Sequence, residues 1–290
     1  MIETRLLKYF LAVAREQNVT KAAESLYISQ STLSRQMMDL EGAVGKKLFV
    51  RGKRSIVLTE DGIFLRDRAK EIVGLLEKTE HALKTDDGRL SGDISIGCGE
   101  TVAMDKIAAL LSDFHTRWPD VRLHLFSGDA DTVMQRIDRG TSDMGLLIGP
   151  KKQERYDYLE LAEKDYYGLL MPADSPLARQ EAVNIDQLKS LPMILAEQTF
   201  SGHQDLTWFG EDALNVVATY NLIYNATYLV EHGIGYALCL DRLVNTSGRR
   251  LAFRRIEPEL SVKLYIVTKK YQAFSPAAKC FFDHVKEERR

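Results

Sequence analysis

The chain has 290 residues, 45% hydrophobic and 28% charged, a balance that suits two or three folded units, each with its own core. The only early apolar run, LLKYFLAVA, is interrupted by Lys8 and followed closely by Arg15, which fits neither a signal peptide nor a membrane span, so a cytoplasmic protein with no membrane partner is expected. The net charge of −2 is unevenly spread: residues 1–58 hold ten Lys and Arg against five Asp and Glu, the remainder 29 against 36, and a basic head on an acidic body points to a polyanion at one end only.

Within the head, Leu6, Leu7, Phe10, Leu11 and Ala14 recur at helical spacing and predict an amphipathic first helix ending near Asn18. Thr20 can cap a second helix over KAAESLY. Ser29 is placed to cap a third, with Ile28 and Leu33 as a hydrophobic staple. Along that third helix Leu33, Met37, Leu40 and Val44 fall on one stripe, leaving Ser31, Thr32, Arg35 and Met38 facing away. Ser and Thr are mediocre helix formers, so helix stability does not explain them. Close approach to a DNA groove does: short polar side chains admit base edges, and an arginine can pair with guanine O6 and N7. Two short helices leading to such a third predict a helix-turn-helix.

LFVRGKRSIVL then reads as two short strands around Gly52 and Lys53, with Arg51, Lys53 and Arg54 at the tip, a basic wing. Thr59 caps a long helix with Glu60 and Asp61 in its first turn. Leu65, Ala69, Ile72, Leu76, Thr79 and Leu83 follow in alternating steps of four and three, a short heptad seam that suits pairing of two copies when other contacts support it. The turn formers of DDGRLSGD, residues 86–93, end this helix and mark a boundary.

Beyond it strands and helices alternate: DISIGC, VAMDKIAALLSDFHTRW, VRLHLF, DADTVMQRIDRG, DMGLLI, and again PMILA, NVVATY, NLIYNATYLVEHG, GYALCL. This alternation predicts βαβ units on a parallel sheet. YLELAEKDYYGLLMP and SVKLYIVTKK would carry the chain between two lobes before a last helix, PAAKCFFDHVKEE. A cleft between such lobes offers strand ends and helix N-termini to a ligand.

Rival classes fare worse. A secreted solute receptor would carry an export signal and no basic recognition helix. An enzyme would need a nucleophile with its base or a metal cluster, whereas the six histidines are scattered without ligand spacing and GIG at 233–235 is too short for a nucleotide loop. Cys98, Cys239 and Cys280 lack CxxC or metal-ligand spacing and read as reduced thiols, with nothing nearby to activate Cys98 or Cys239 as a sensor. No cofactor or metal is expected. Binding to random DNA without any ligand effect would point instead to an architectural DNA-binding protein.

Residues 19–62 resemble the LysR-type transcriptional regulators, with A-A-x-x-L, S-Q-x-x-L-S-R-Q, L-E-x-x-x-G, L-F-x-R and L-T-x-x-G all present. SIGCGE, FHTRWPDV, DMGLLI and HGIGYAL are similar to that family's effector domain at lower specificity. The resemblance implies an α+β multi-domain chain: a winged helix-turn-helix over 1–58, a dimerising linker helix over 59–88, and over 89–290 an α/β effector domain like periplasmic binding proteins. Lobe I would hold about 89–162 and 267–290, lobe II about 163–266. It implies a sequence-specific regulator that binds double-stranded promoter DNA as a dimer or pair of dimers, with RNA polymerase as a candidate partner.

By motif position, Gln30, Ser31, Thr32 and Arg35 would approach bases, and Lys21, Ser34, Gln36, Arg51, Lys53 and Arg54 would complete the DNA surface, chiefly at phosphates. Ser31 stands where the family usually has proline, a position that tolerates proline without requiring it, so an altered base preference is expected. A small-molecule effector would touch Cys98, Gly99, Glu100, Thr101 and Val102 on one side, with Ala196, Glu197, Thr199 and Phe200 opposite and Asn221 at a helix start. Glu100 and Glu197 would repel an anion if they faced the cleft, making an amine-bearing or neutral effector an alternative to a small organic acid. Leu65, Ala69, Ile72, Leu76 and Leu83 would form the dimer seam.

Overall fold

The computed structural model describes residues 2–51, 56–83, 90–200 and 214–288, and the side chains of all of these except Arg51, Lys78, His81, Ala82, Leu83 and Phe200. The chain divides into two compact units, Met1–Lys84 and Thr85–Arg290. Among the described residues no helix is long and apolar enough to cross a membrane.

The first unit runs α1 (Thr4–Glu16), α2 (Val19–Ser25), α3 (Gln30–Val44), β1 (Phe49–Arg51), β2 (Ile56–Leu58) and α4 (Glu60–Leu83). The apolar stripes read from sequence meet in one core: Phe10, Ala22, Leu33 and Leu40 have no exposed surface, and Met37 and Val13 lie beside them. The cap of α2 differs from expectation. Asn18, in extended backbone, accepts from the N–H groups of Thr20 at 2.9 Å and Lys21 at 3.1 Å, so the helix begins at Val19 and not after Thr20. Asn is at least as strong a cap as Thr, and the left-handed turn at Gln17 presents it two residues earlier. Ser29 does cap α3, its Oγ accepting from Thr32 N–H at 3.1 Å.

Glu41 ties α3 to the wing. Its carboxylate accepts from the backbone N–H of Leu48 at 2.8 Å and from Lys47 Nζ at 2.8 Å. Burial pushes this carboxyl up, but the hydrogen bonds from Lys47 and from the N–H groups of Leu48 and Phe49 outweigh it and hold it below its ordinary 4.5. A depressed carboxyl contributes stability that is full above the unfolded value and is lost as pH falls through the folded one. Glu41→Gln is therefore expected to cost about 1–3 kcal/mol near neutrality, with the deficit shrinking below pH 4.5; thermal melts at pH 7 and pH 3.5 measure it.

The seam expected on α4 divides. Ala69 is fully buried against the first unit's own core, Val73 joins it, and Leu65 packs on the same cluster. Ala69 therefore has no surface left for a second copy, and Leu65 is half-buried, because α4 uses that side to pack on α1. Three of the exposed large apolar side chains of α4 lie on a neighbouring face, Phe64 at 65%, Ile72 at 48% and Leu75 at 39%, while Ile63, 44% exposed, points another way. Leu76 is half-buried, and the side chain of Leu83 lies outside the described residues. A four/three repeat marks an apolar stripe without saying whose core it enters.

The second unit contains β3 (Gly92–Cys98), α5 (Met104–Arg117), β4 (Val121–Ser127), α6 (Ala130–Asp138), β5 (Met144–Ile148), β6 (Tyr156–Pro172), β7 (Ala182–Asn184), β8 (Met193–Ala196), α7 (Glu197–Phe200), β9 (Val216–Tyr220), α8 (Ile223–Glu231), β10 (Tyr236–Leu240), β11 (Leu251–Glu257), β12 (Ser261–Lys269) and α9 (Pro276–Glu288). Its strands follow the order β4-β3-β5-β12-β6-β10-β8-β9, with β11 and β7 branching from β6. The sheet is not parallel throughout. β4-β3-β5 and β10-β8-β9 are parallel sets, one per lobe, but β6 and β12 run antiparallel to their neighbours. These long strands carry the chain between lobes: β6 pairs with β12 up to Tyr166 and with β10 from Tyr167. β12 pairs in lobe I from Ser261 onward, so residues 163–166 and 261–266, assigned to lobe II from sequence, belong to the lobe I sheet. Behind β3, Phe114 of α5 meets Phe281 of α9 edge-on at 5.3 Å in a core continuous across the crossing strands.

Candidate functional site

On α3, Gln30, Ser31, Thr32 and Arg35 are exposed: Ser31 and Arg35 lie on the face opposite Leu33, Met37 and Leu40, Thr32 lies on its flank, and Gln30, the first residue of the helix, is in phase with the core stripe but stands beyond its end; Ser34 and Gln36 are half-buried. Ser29 Oγ lies 3.0 Å from Ser31 Oγ and 2.8 Å from Thr32 Oγ1, so the three hydroxyls form one cluster at the helix start. Gln36 donates to Asp39 at 3.4 Å, while no described carboxylate pairs with Arg35. An unpaired guanidinium among hydroxyls is free to contact phosphate or a base edge. Lys21 is exposed in the first turn of α2. Lys53, Arg54 and the side chain of Arg51 lie outside the described residues. Two exposed residues of this surface were not among the expected contacts: Tyr27, 96% exposed with φ 55° in the turn before α3, and Met38, 53% exposed one turn beyond Ser34. Met38 was legible from its helical phase; Tyr27 was not, since only the backbone turn displays it.

In the second unit an open cleft of about 590 Å³, its solvent-filled mouth included, lies between the C-terminal ends of the two parallel strand sets, where such folds bind ligands. Gly99, Glu100, Ala196, Thr199 and Asn221 line it. Cys98 and Thr101 are buried behind it, Val102 is half-buried outside the lining, Glu197 is exposed and outside the lining, and the side chain of Phe200 lies outside the described residues. The two glutamates thus separate: Glu100 faces the cleft and Glu197 does not. Asp129, Gln198 and Tyr220 line the cleft and were not expected. Asp129, an N-cap after a strand, carried a readable signal; Gln198 and Tyr220 reach the cleft only through the crossing of the lobes. Asn221 precedes α8 by two residues and accepts from Leu222 N–H at 2.9 Å.

Cys239, in the cleft wall, and the groups behind it are chemically quiet. Burial pushes the Cys98 thiol up to about 11, and burial with the neighbouring carboxylates Asp241 and Glu100 pushes Cys239 up to about 12, the reverse of an activated thiol. Thr101 donates through Oγ1 to Asp165 at 2.6 Å. Burial raises the Asp165 carboxyl above its ordinary value despite that bond and another from Val102 N–H. A raised folded value means stability that is full below 3.8, the unfolded value, and is lost as pH rises through the folded one. Asp165→Asn keeps an acceptor for Thr101 and removes the buried charge, so its melting temperature is expected to fall less than that of the wild type between pH 4 and pH 7.

Residues 4–63 match the family model described as "Bacterial regulatory helix-turn-helix protein, lysR family", and residues 87–290 match "LysR substrate binding domain". Among curated relatives, the Hca operon transcriptional activator HcaR of Escherichia coli K12 is 32% identical over 295 residues, covering 99% of this chain and 98% of that protein. The regulator IlvY of the same strain is 26% identical, covering 97% and 98%. Of solved structures, CbnR, a LysR family regulator, superposes with a TM-score of 0.76 at 20% identity over 100% of both chains. Full-length CbnR complexed with its target DNA gives 0.74 at 20% identity over 99% of each.

Proposed function

The chain belongs to the LysR family of DNA-binding transcriptional regulators, and from that premise we propose that α3 reads the major groove of a promoter site through Gln30, Ser31, Thr32 and Arg35. Lys21, Ser34, Gln36 and the wing residues Arg51, Lys53 and Arg54 hold the phosphates alongside. The observation that carries this reading is the division of α3 into a buried Leu33–Met37–Leu40 stripe and an exposed polar face with an unpaired arginine. The relatives it resembles are regulators and not enzymes.

Two copies bind together, with Phe64, Ile72 and Leu75 of α4 as the self-association face and Leu76 at its edge; a pair of such dimers spans successive major grooves. The protein works in the cytoplasm, with RNA polymerase as a further partner. A small-molecule effector enters the cleft at Gly99, Glu100, Ala196, Thr199 and Asn221, and its unequal affinity for two lobe arrangements alters the DNA complex. The test is fluorescence anisotropy of the full chain on duplex from upstream of its own gene and on a scrambled duplex in moderate salt. Tighter binding to the native duplex is expected, and equal binding to both would overturn sequence reading by α3. A thermal-shift screen of small metabolites on the same protein then identifies the effector class.

A further inference from the structure

Two hydrogen bonds cross the cleft, and they run in opposite directions. Glu100, in the turn after β3 of lobe I, accepts through its carboxylate from the backbone N–H of Ile223, the first residue of α8 in lobe II, at 2.6 Å. Gln198, in α7 of lobe II, accepts through Oε1 from the N–H of Ala130, the first residue of α6 in lobe I, at 3.2 Å. First-turn N–H groups have no partner inside their own helix and require an acceptor from elsewhere. Helix α8 has none of its own: its N-cap is Leu222, which makes no side-chain cap, and Asn221 is spent on Leu222 N–H. In α6 the local cap, Asp129, serves Thr132 N–H at 2.7 Å and leaves Ala130 to Gln198. Each lobe therefore completes a helix start belonging to the other.

Glu100 is suited to release as well as to hold. No described cation pairs with it, so the partial positive charge of the α8 terminus is its main electrostatic support. It also lines a second open groove beside α8, walled by Tyr224, Tyr228 and Arg249, which gives its side chain somewhere to turn.

We propose that Glu100 and Gln198 form a reciprocal latch between the lobes, with Glu100 as a tethered carboxylate that an effector must displace from Ile223. Its regulatory purpose rests on the cleft being the effector site; the latch itself does not. Because each bond holds the other pair at bonding distance, losing one lowers the effective concentration of the other. Two independent caps would show no such coupling.

Hydrogen exchange on the full chain, followed by mass spectrometry without DNA or effector, separates these cases. Glu100→Ala is expected to speed exchange roughly ten- to hundredfold at the start of α8 and, more weakly, at the start of α6, which Glu100 does not touch. Gln198→Ala is expected to do the reverse. Glu100→Gln, which keeps an acceptor, stays closer to wild type, and acetate restores protection of both helix starts in Glu100→Ala while leaving the wild type unchanged. Loosening confined to each variant's own helix start, or absent in both, overturns the latch. A coupled loosening in a protein whose DNA binding answers to no small molecule would leave the latch standing and remove only its regulatory purpose.

Discussion

Gly62→Ala is expected to destabilise the first unit by about 3 kcal/mol or more and to abolish DNA binding at 37 °C. A Cβ at Gly62 would stand 2.1 Å from the carbonyl oxygen of Leu48, with the Leu48 carbonyl carbon at 3.1 Å. That carbonyl cannot move aside cheaply. It accepts from Thr59 N–H at 3.0 Å, the preceding carbonyl of Lys47 accepts from Thr59 Oγ1 at 2.7 Å, and Leu48 itself is buried. The glycine is there for close approach of α4 to the start of the wing, since its backbone is ordinary helix. Gly42 in α3 provides the internal control: a Cβ there meets nothing within 4 Å, so Gly42→Ala is expected to raise stability by up to about 1 kcal/mol through helix propensity. Thermal melts of the two variants should move in opposite directions.

Arg35→Ala is expected to weaken binding to the cognate duplex by about 1–3 kcal/mol, roughly five- to 150-fold, while binding to scrambled duplex changes little. Arg35 is exposed, unpaired by any described carboxylate, and projects from the face of α3 opposite its core stripe, so its removal should leave the melting temperature unchanged. Arg35→Lys keeps the charge and loses the two-pronged donor geometry, and should fail to restore the specific affinity. A wing substitution behaves differently: Lys53→Ala should weaken all duplexes alike and reduce the slope of log K against log salt by about 0.9. Equal losses on both duplexes for Arg35→Ala would assign Arg35 to phosphate and leave base reading to its neighbours.

The N-terminal unit was legible because its signals are local. Ser29 as a cap, the Leu33–Met37–Leu40 stripe and the Thr59 cap each depend on residues within a turn or two, where helix geometry alone sets the outcome. Even there the margin was one helix cap: Asn18 supplanted Thr20 because the left-handed Gln17 decided which side chain met the free N–H groups. The role of Glu41 had no local signal, since its partners lie six to eight residues on across a reversal of the chain.

The second unit was legible as alternation and not as arrangement. Hydrophobic runs located most strands, but the short strand β7 and the antiparallel course of β6 and β12 depend on which distant segments they meet. The cleft obeys the same rule. Gly99 and Glu100 follow β3 directly, while Cys98 and Thr101, adjacent in sequence, turn into the core. Alternation of side chains along a strand ends with the strand, and the turn that follows can aim either way.

Sequence by itself determined the family, the domain order and the polar face of α3, because each is written in spacing along one segment and helical phase converts spacing directly into a surface. Tertiary structure alone decided that Leu65 and Ala69 serve the chain's own core, and that Glu100 and Gln198 meet the helix starts of opposite lobes. Those outcomes depend on contacts between residues far apart in the chain, more than a hundred positions for Glu100 and Ile223, and such pairings are chosen by the packing of whole elements.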